Sequence, residues 1–191
     1  MYLHIKPTII SEPQCPEDHK SCLTLQQFSK NTSQHYNSSA SLILEFLPGN
    51  HSLQLQSVIS IYNVPYLKLF SWAKNSSSIF TNNVTFKLIN ISVVEISYLT
   101  FHGFDFPVQI RYQPRPVLSI TFSNLYLNEC KFYDTKGTII SAKGCNIEIY
   151  KSKFINCSQI IVAGNCNISD TGSYYFGNVA EILLPSLAFP L

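Results

Sequence analysis

Carboxylate side chains are the first place to look for chemistry in this sequence, because enzymes that cleave polysaccharides depend on paired or clustered acids. Calcium sites collect several Asp or Glu oxygens, and hydrolases hold two carboxyl groups about 5 to 9.5 Å apart. The aspartates are isolated from one another along the chain; they are Asp18, Asp105, Asp134 and Asp170. This spacing favours solvated turn residues, so we expect no catalytic residue, no metal ligand and no cofactor site.

His102 is the strongest alternative, because it precedes a glycine and lies close to Asp105, a combination found in galacturonases. Such a site would need two further acids and a basic residue from adjacent repeats. The nearby Arg111 and Arg115 flank a proline-rich segment that is typical of a loop. We therefore expect no active site at His102. We expect His51, which follows Pro-Gly-Asn, to be a surface or turn residue.

The six cysteines indicate an oxidising compartment, because none is spaced as a metal site requires. Cys15 and Cys22 enclose a short loop, which favours a disulfide bond between them. Cys145 and Cys166 lie one sequence repeat apart, so stacked repeats would place their Cα atoms about 4.8 Å apart, inside the range for a disulfide. This pair could also stay reduced in a buried column. Two thiols have no clear partner; they are Cys130 and Cys157.

Eight Asn-x-Ser/Thr sequences occur, where chance would give roughly three. They predict a secreted or cell-surface glycoprotein. The acceptor asparagines are Asn31, Asn37, Asn50, Asn75, Asn83, Asn90, Asn156 and Asn167.

Composition narrows the possible partners. Only 13% of the residues are charged, against roughly 25% in an average domain, and the 13 Lys and Arg are scattered. A nucleic-acid footprint would need a basic stripe, so we expect no nucleic-acid partner. The segment 1–7 lacks the apolar core of a signal peptide, and no apolar run is long enough to span a membrane.

Internal repeats indicate the architecture. Apolar residues recur about every 21 to 22 residues in the second half of the chain. Two sets show this spacing: Leu125, Ile147 and Ile168, and Phe132, Phe154 and Tyr175. Between them lie short alternating runs bounded by Asn, Gly and Ser, without the 3.6-residue stripe of a helix.

These features predict an all-β fold, a right-handed single-stranded parallel β-helix whose coils stack like residues into interior columns. We expect one column of Ile61, Ile89, Leu125, Ile147 and Ile168, and an aromatic column of Phe70, Phe101, Phe132 and Phe154. A β-sandwich remains the alternative. It would need hairpin connections in place of a repeated register.

The first forty residues differ from the coils. Thr24 and Gln27 have the spacing of a capping box, which predicts a short helix with Leu25 and Phe28 on one apolar edge. Such a helix could cover the open end of a solenoid. We therefore expect an N-terminal strand, a cysteine loop and a capping helix over residues 1–40. The coils would occupy 41–191 and continue beyond the C-terminus in the full protein.

Several segments carry a resemblance. They are Cys22-Leu-Thr-Leu-Gln-Gln-Phe28, Leu47-Pro-Gly-Asn-His-Ser-Leu53 and the run from Asn90 to Gly103. In this order they resemble uncharacterised pectin-lyase-like β-helix ectodomains of marine invertebrates. The resemblance implies the fold, an upstream secretion signal and further coils downstream, but no established activity. At Thr81 and Phe104 such proteins often have cysteine, so a family disulfide is expected to be absent.

Three functions are consistent with the sequence. The first is a non-catalytic extracellular domain for recognition or adhesion, which presents a flat face to a glycan or a cell-surface protein. Outward aromatics, Tyr126 and Tyr150 among them, could form a platform for sugars. The second is a carbohydrate-active lyase or hydrolase, which would require Asp105, Asp134 and Asp170 to converge. The third is a structural spacer within a larger receptor.

Overall fold

The computed structural model describes residues 1–6, 22–32, 40–52, 58–74, 76–81, 85–103 and 115–183. Within these ranges the chain forms strands and a single helix. In chain order the elements are β1 (Tyr2–Lys6), β2 (Cys22–Thr24), α1 (Leu25–Thr32), β3 (Leu42–Phe46), β4 (Gly49–Ser52), β5 (Val58–Tyr62), β6 (Tyr66–Ser71), β7 (Ser77–Phe80), β8 (Thr85–Ile89), β9 (Val93–Ser97), β10 (Thr100–His102), β11 (Leu118–Thr121), β12 (Asn124–Asn128), β13 (Lys131–Tyr133), β14 (Thr138–Lys143), β15 (Asn146–Tyr150), β16 (Lys153–Ile155), β17 (Gln159–Gly164), β18 (Asn167–Thr171), β19 (Tyr174–Phe176) and β20 (Ala180–Leu183).

The strands form three sheets, and from β3 onwards each strand pairs with the one three positions along the chain. Sheet A has the order β18-β15-β12-β9-β6-β3-β1-β2, sheet B has β19-β16-β13-β10-β7-β4, and sheet C has β20-β17-β14-β11-β8-β5. Every strand pairing among the described residues is parallel, as in β12 with β15 and β14 with β17. The chain is therefore a parallel β-solenoid of about 5 turns, as predicted. This excludes the β-sandwich, because a sandwich needs antiparallel hairpins. That the solenoid is right-handed stays a prediction.

Single left-handed residues form the corners between sheets. Their φ angles run from 46° at Lys151 to 72° at Gly172. This region of φ favours Gly, Asn and Asp, which explains the turn residues that separate the strands. Stacked corners repeat the conformation: Asn63, Asn90, Phe122, Gly144 and Asn165 follow sheet C, while Asp134, Asn156 and Gly177 follow sheet B.

The interior consists of columns of like side chains, one from each coil. Leu125, Ile147 and Ile168 are register partners in sheet A, which confirms the repeat predicted for them. The spacing predicted for Phe132, Phe154 and Tyr175 is also confirmed, because these residues are register partners in sheet B. Its rings stack with centroids 4.8 to 5.1 Å apart and belong to Phe101, Phe132, Phe154 and Tyr175.

Three residues do not belong to the columns predicted for them. Ile61 and Ile89 lie in sheet C, where their partners are Leu88 and Tyr62. Phe70 lies on the outward side of sheet A, opposite Glu45 and Ser97. The early coils are longer than the later ones, so a fixed period places these residues on the wrong sheet.

The N-terminal strand belongs to the same sheet as the coils. β1 pairs with β3 on one side and β2 on the other, so a boundary at residue 40 cuts across sheet A. His4 Nδ1 lies 2.8 Å from Glu45 Oε2, and both side chains are almost fully buried. This contact links β1 to β3.

The helix begins with the predicted capping box. The Thr24 backbone N–H donates to Gln27 Oε1 at 2.8 Å, and the Gln27 backbone N–H donates to Thr24 Oγ1 at 3.2 Å. Leu25 and Phe28 are fully buried, so α1 has one apolar side. That α1 caps the solenoid stays a prediction.

Candidate ligand groove on sheet A

Two outward columns of polar side chains lie next to each other on sheet A. Side chains alternate between the two faces of a strand, so residues two apart share a face. Each of three successive coils contributes an asparagine and the residue two positions later. The pairs are Asn124 with Tyr126, Asn146 with Glu148, and Asn167 with Ser169.

The asparagines form a hydrogen-bonded ladder that runs along the solenoid axis. Asn167 Nδ2 donates to Asn146 Oδ1 at 3.0 Å, and Asn146 Nδ2 donates to Asn124 Oδ1 at 2.8 Å. Asn124 Nδ2 then donates to the Ser92 carbonyl oxygen at 2.8 Å. Each amide has two N–H donors and an oxygen with two lone pairs, so capacity remains for a ligand.

A shallow open groove of about 270 Å³ follows these columns. Its lining residues are Asn124, Tyr126, Asn146, Ile147, Glu148, Asn167, Ile168 and Ser169. Amides, a hydroxyl and a carboxylate can each donate to or accept from neighbouring sugar hydroxyls. Tyr126 adds an aromatic surface that is 36% exposed. Glu148 is the one charged residue of the lining, which suits a neutral ligand better than an anionic one.

Four groove residues are not among the predicted site residues; they are Asn124, Asn146, Glu148 and Ser169. The sequence does contain a pattern that could have identified them. An asparagine begins each of three successive repeats, and the residue two positions after it faces outward and is polar or aromatic. Tyr126 and Tyr150 are exposed as predicted, the latter at 42%. One face of the Tyr150 ring carries the Lys151 ammonium, with Nζ 4.7 Å from the ring centroid.

On sheet B, the ring of His102 has little free surface. His102 stacks between Phe80 and Tyr133, with centroid distances of 5.4 Å and 5.3 Å. Both faces of the His102 ring are therefore covered. Burial lowers the pKa of His102, and the nearby Asp134 only partly opposes this effect.

The described aspartates do not share a face. Asp134 is a corner residue with φ of 54° and accepts from Asn156 Nδ2 at 3.2 Å. Asp170 occupies an inward position of sheet A opposite Ile149, and it accepts from the Tyr175 hydroxyl at 2.6 Å. Asp18 and Asp105 lie outside the described residues, as do Arg111 and Tyr112.

The prediction for His51 is wrong. Its ring is fully buried in sheet B, on the inward side opposite Ile79. Nε2 lies 2.9 Å from the Leu47 carbonyl oxygen, and the ring meets Phe46 edge-on at a centroid distance of 5.1 Å. Burial lowers the pKa of His51 although its backbone hydrogen bonds oppose the shift. Nε2 therefore has a carbonyl partner inside the core.

Four cysteines are free thiols at corners of the solenoid; they are Cys130, Cys145, Cys157 and Cys166. Each thiol contacts the carbonyl oxygen two residues before it, as Cys145 does with Lys143 at 3.2 Å and Cys166 with Gly164 at 3.3 Å. The predicted Cys145–Cys166 disulfide is therefore not formed, and its reduced alternative is present. The Cys145 backbone N–H donates to Cys166 Sγ at 3.3 Å.

Burial changes the chemistry of these thiols. It raises the pKa of Cys130 to about 12 and also raises those of Cys145 and Cys157. Cys22 begins β2 and is not among the free thiols. Its predicted partner Cys15 lies outside the described residues.

Four predicted glycosylation sites can be located, and all four asparagines are exposed: Asn50, Asn90, Asn156 and Asn167. The other acceptor asparagines fall where the structure describes no side chain; they are Asn31, Asn37, Asn75 and Asn83. In the described ranges no three His, Cys, Asp or Glu residues are grouped as metal ligands. The helix of the described chain is too short and too polar to cross a membrane.

Together the fold and groove define a parallel β-solenoid with a polar, partly aromatic cleft on one outer face. No family model, no curated protein and no solved structure matches the chain. The resemblance to pectin-lyase-like ectodomains of marine invertebrates has no support from these comparisons.

Proposed function

We propose that this chain is a non-catalytic extracellular recognition domain that binds a neutral glycan in the groove on sheet A. The observation that carries the proposal is the row of three stacked asparagines beside Tyr126 and Glu148. Stacked coils repeat these groups at about 4.8 Å. A ligand with repeated hydroxyl groups can therefore meet an amide on each coil.

The extracellular compartment is part of the proposal. It is supported by the number of Asn-x-Ser/Thr sequences and by the exposure of the four that can be located. Buried thiols are compatible with an oxidising compartment, because a thiol with a raised pKa has little thiolate for exchange. The Cys15–Cys22 disulfide, the right hand of the coil and its pectin-lyase-like class belong to the same proposal.

The absence of catalysis is also proposed. Its support is that Asp134 lies at a corner after sheet B whereas Asp170 lies on β18 of sheet A and accepts from the Tyr175 hydroxyl, so that the two do not form a pair across a cleft. Release of unsaturated or reducing sugars from pectin or alginate by the purified chain would contradict it.

The test is binding of the purified chain to an array of neutral and acidic oligosaccharides, followed by titration of the best ligand. Tyr126→Ala removes an aromatic contact, and Glu148→Gln replaces a charge-assisted hydrogen bond with a neutral one, so each should weaken binding by about tenfold, or about 1.4 kcal/mol. Tyr174→Ala is the matched control. Tyr174 is 51% exposed and lies on sheet B, so its removal should leave affinity unchanged.

Circular dichroism establishes that each variant is folded before binding is compared. A folded chain that binds no glycan contradicts the proposal. So does a chain whose affinity falls equally in the Tyr126 variant and in the Tyr174 control.

A further inference from the structure

Three successive coils each contribute an asparagine and a second outward residue to the groove. Of these three asparagines, Asn167 alone lies in an N-glycosylation sequence. The coil of β12 has Asn124 and Tyr126, and the coil of β15 has Asn146 and Glu148. In β18 a serine, Ser169, occupies the second position, which makes Asn167-Ile-Ser an acceptor sequence. The groove therefore contains both the acceptor asparagine and the hydroxyl of its own glycosylation site.

The ladder geometry allows a glycan at this position. Asn167 is exposed, and its Nδ2 donates one hydrogen to Asn146 Oδ1 at 3.0 Å. An amide NH₂ has two hydrogens, so attachment of a sugar leaves one N–H for the ladder. The first sugar would then start from the lining of the groove, one coil from Glu148, which pairs with Ser169.

We propose that N-glycosylation of Asn167 places the chain's own glycan in the groove and excludes an external glycan ligand. This inference rests on the proposed function, because the groove must accept sugar. In the transfer, Nδ2 loses a proton and bonds to C1 of the oligosaccharide. The bond from C1 to its lipid diphosphate carrier breaks, and the lipid diphosphate leaves. The ligand-competent form is thus the chain whose Asn167 is unmodified.

Other located acceptor sites serve as controls, because none lines the groove. Asn156 is a corner residue after sheet B, with Nδ2 3.2 Å from Asp134 Oδ1. Asn90 is a corner residue after sheet C, with Nδ2 2.8 Å from Asn63 Oδ1. Glycans at these asparagines should not affect groove binding.

The experiment compares forms of the full chain secreted from a eukaryotic host. Ser169→Ala removes the acceptor sequence but leaves the Asn167 side chain in place. Ser169→Thr retains the acceptor sequence. Ser158→Ala removes the Asn156 site as a matched control. Wild-type chain from a host without N-glycosylation provides an unmodified form that retains Ser169. Peptide mass spectrometry measures occupancy, and the probes are N,N′-diacetylchitobiose and the oligosaccharide array.

We expect Asn167 to be occupied in the secreted wild type. Ser169→Ala and the unglycosylated wild type should then bind the probes at least tenfold more tightly than the secreted wild type. Ser158→Ala should match the secreted wild type, and Ser169→Thr should remain glycosylated at Asn167. An unmodified Asn167 in the secreted chain would overturn the inference. Equal binding with and without the Asn167 glycan would overturn it too, leaving the proposed function intact. If no folded form binds any glycan, the proposed function fails as well.

Discussion

At the scale of single residues, the corner thiols act as hydrogen-bonding groups of the coil. Ser152 shows the same pattern as the thiols, because its hydroxyl donates to the Tyr150 carbonyl oxygen and accepts from the Cys130 backbone N–H. Cys157 contacts the Ile155 carbonyl oxygen and receives no disulfide partner. A small polar or thiol side chain at these corners therefore adds a second contact to a carbonyl oxygen that already accepts a backbone N–H from the neighbouring coil, as Ile155 does from Asp134.

Native thiol reactivity should therefore differ between these positions. Cys166 is partly exposed, whereas burial raises the pKa values of Cys130, Cys145 and Cys157. Labelling with a disulfide reagent at pH 8, mapped by mass spectrometry, should modify Cys166 first and the other three only after unfolding. Fast labelling of Cys130 in the folded chain would contradict the structure.

At the scale of strands and coils, the interior columns define which substitutions matter. Phe132 stacks between Phe101 and Phe154, with interplanar angles of 5° and 1°. Each ring is held by two neighbours, so a gap in the middle of the column cannot be filled by either of them alone.

Phe132→Ala should consequently lower the free energy of unfolding by about 3 to 5 kcal/mol, the usual cost of removing a buried aromatic ring. Phe176→Ala is the control, because Phe176 is 59% exposed on the outward side of the same sheet and should cost less than about 1 kcal/mol. Urea unfolding followed by circular dichroism measures both. Similar losses for the two variants would contradict the assignment of inward and outward faces.

The later coils could be predicted from sequence because their length is nearly constant. Asn124 and Asn146 are 22 residues apart, and Asn146 and Asn167 are 21 apart. Earlier, Asn63 and Asn90 are 27 apart, and Ile91 and Ser123 are 32 apart. A fixed period cannot follow such insertions, which is why Phe70 and Ile61 were assigned to the wrong columns.

Contacts between side chains of different coils were a second feature that the sequence alone could not predict. The groove depends on which outward residues of separate coils become neighbours, and this is known only once the register is known. Cys145 and Cys166 illustrate the same limit. The repeat correctly placed them on adjacent coils, but the carbonyl contacts of each sulfur were not visible in the sequence.

At the scale of the whole molecule, two histidines with lowered pKa values, His51 and His102, couple stability to pH. Burial lowers the pKa values of His51 and His102 in the folded chain, so the unfolded chain binds more protons in mildly acidic solution. Stability should therefore fall as pH drops below about 6.5, the ordinary histidine value, towards the lowered values.

Replacing His51 should reduce this dependence. His51→Phe retains an aromatic ring in a column that also contains Phe101, and it removes one group that charges on unfolding. Urea unfolding at pH 7.5 and pH 5.5 should show a smaller loss of stability on acidification in the variant than in the wild type. An unchanged loss would assign the pH dependence to other groups.

The hydrogen bond between Asp170 and Tyr175 has a consequence for self-association. Asp170 pairs in register with Ile149, which in turn pairs with Leu127. This column of aliphatic side chains is therefore followed by a carboxylate on β18. Another molecule docking its strands directly onto β18 would have to dehydrate that negative charge, which costs several kcal/mol unless a partner neutralises it. Where β18 is the outermost strand of sheet A, Asp170 therefore disfavours stacking of a second molecule that brings no donor or cation to this carboxylate.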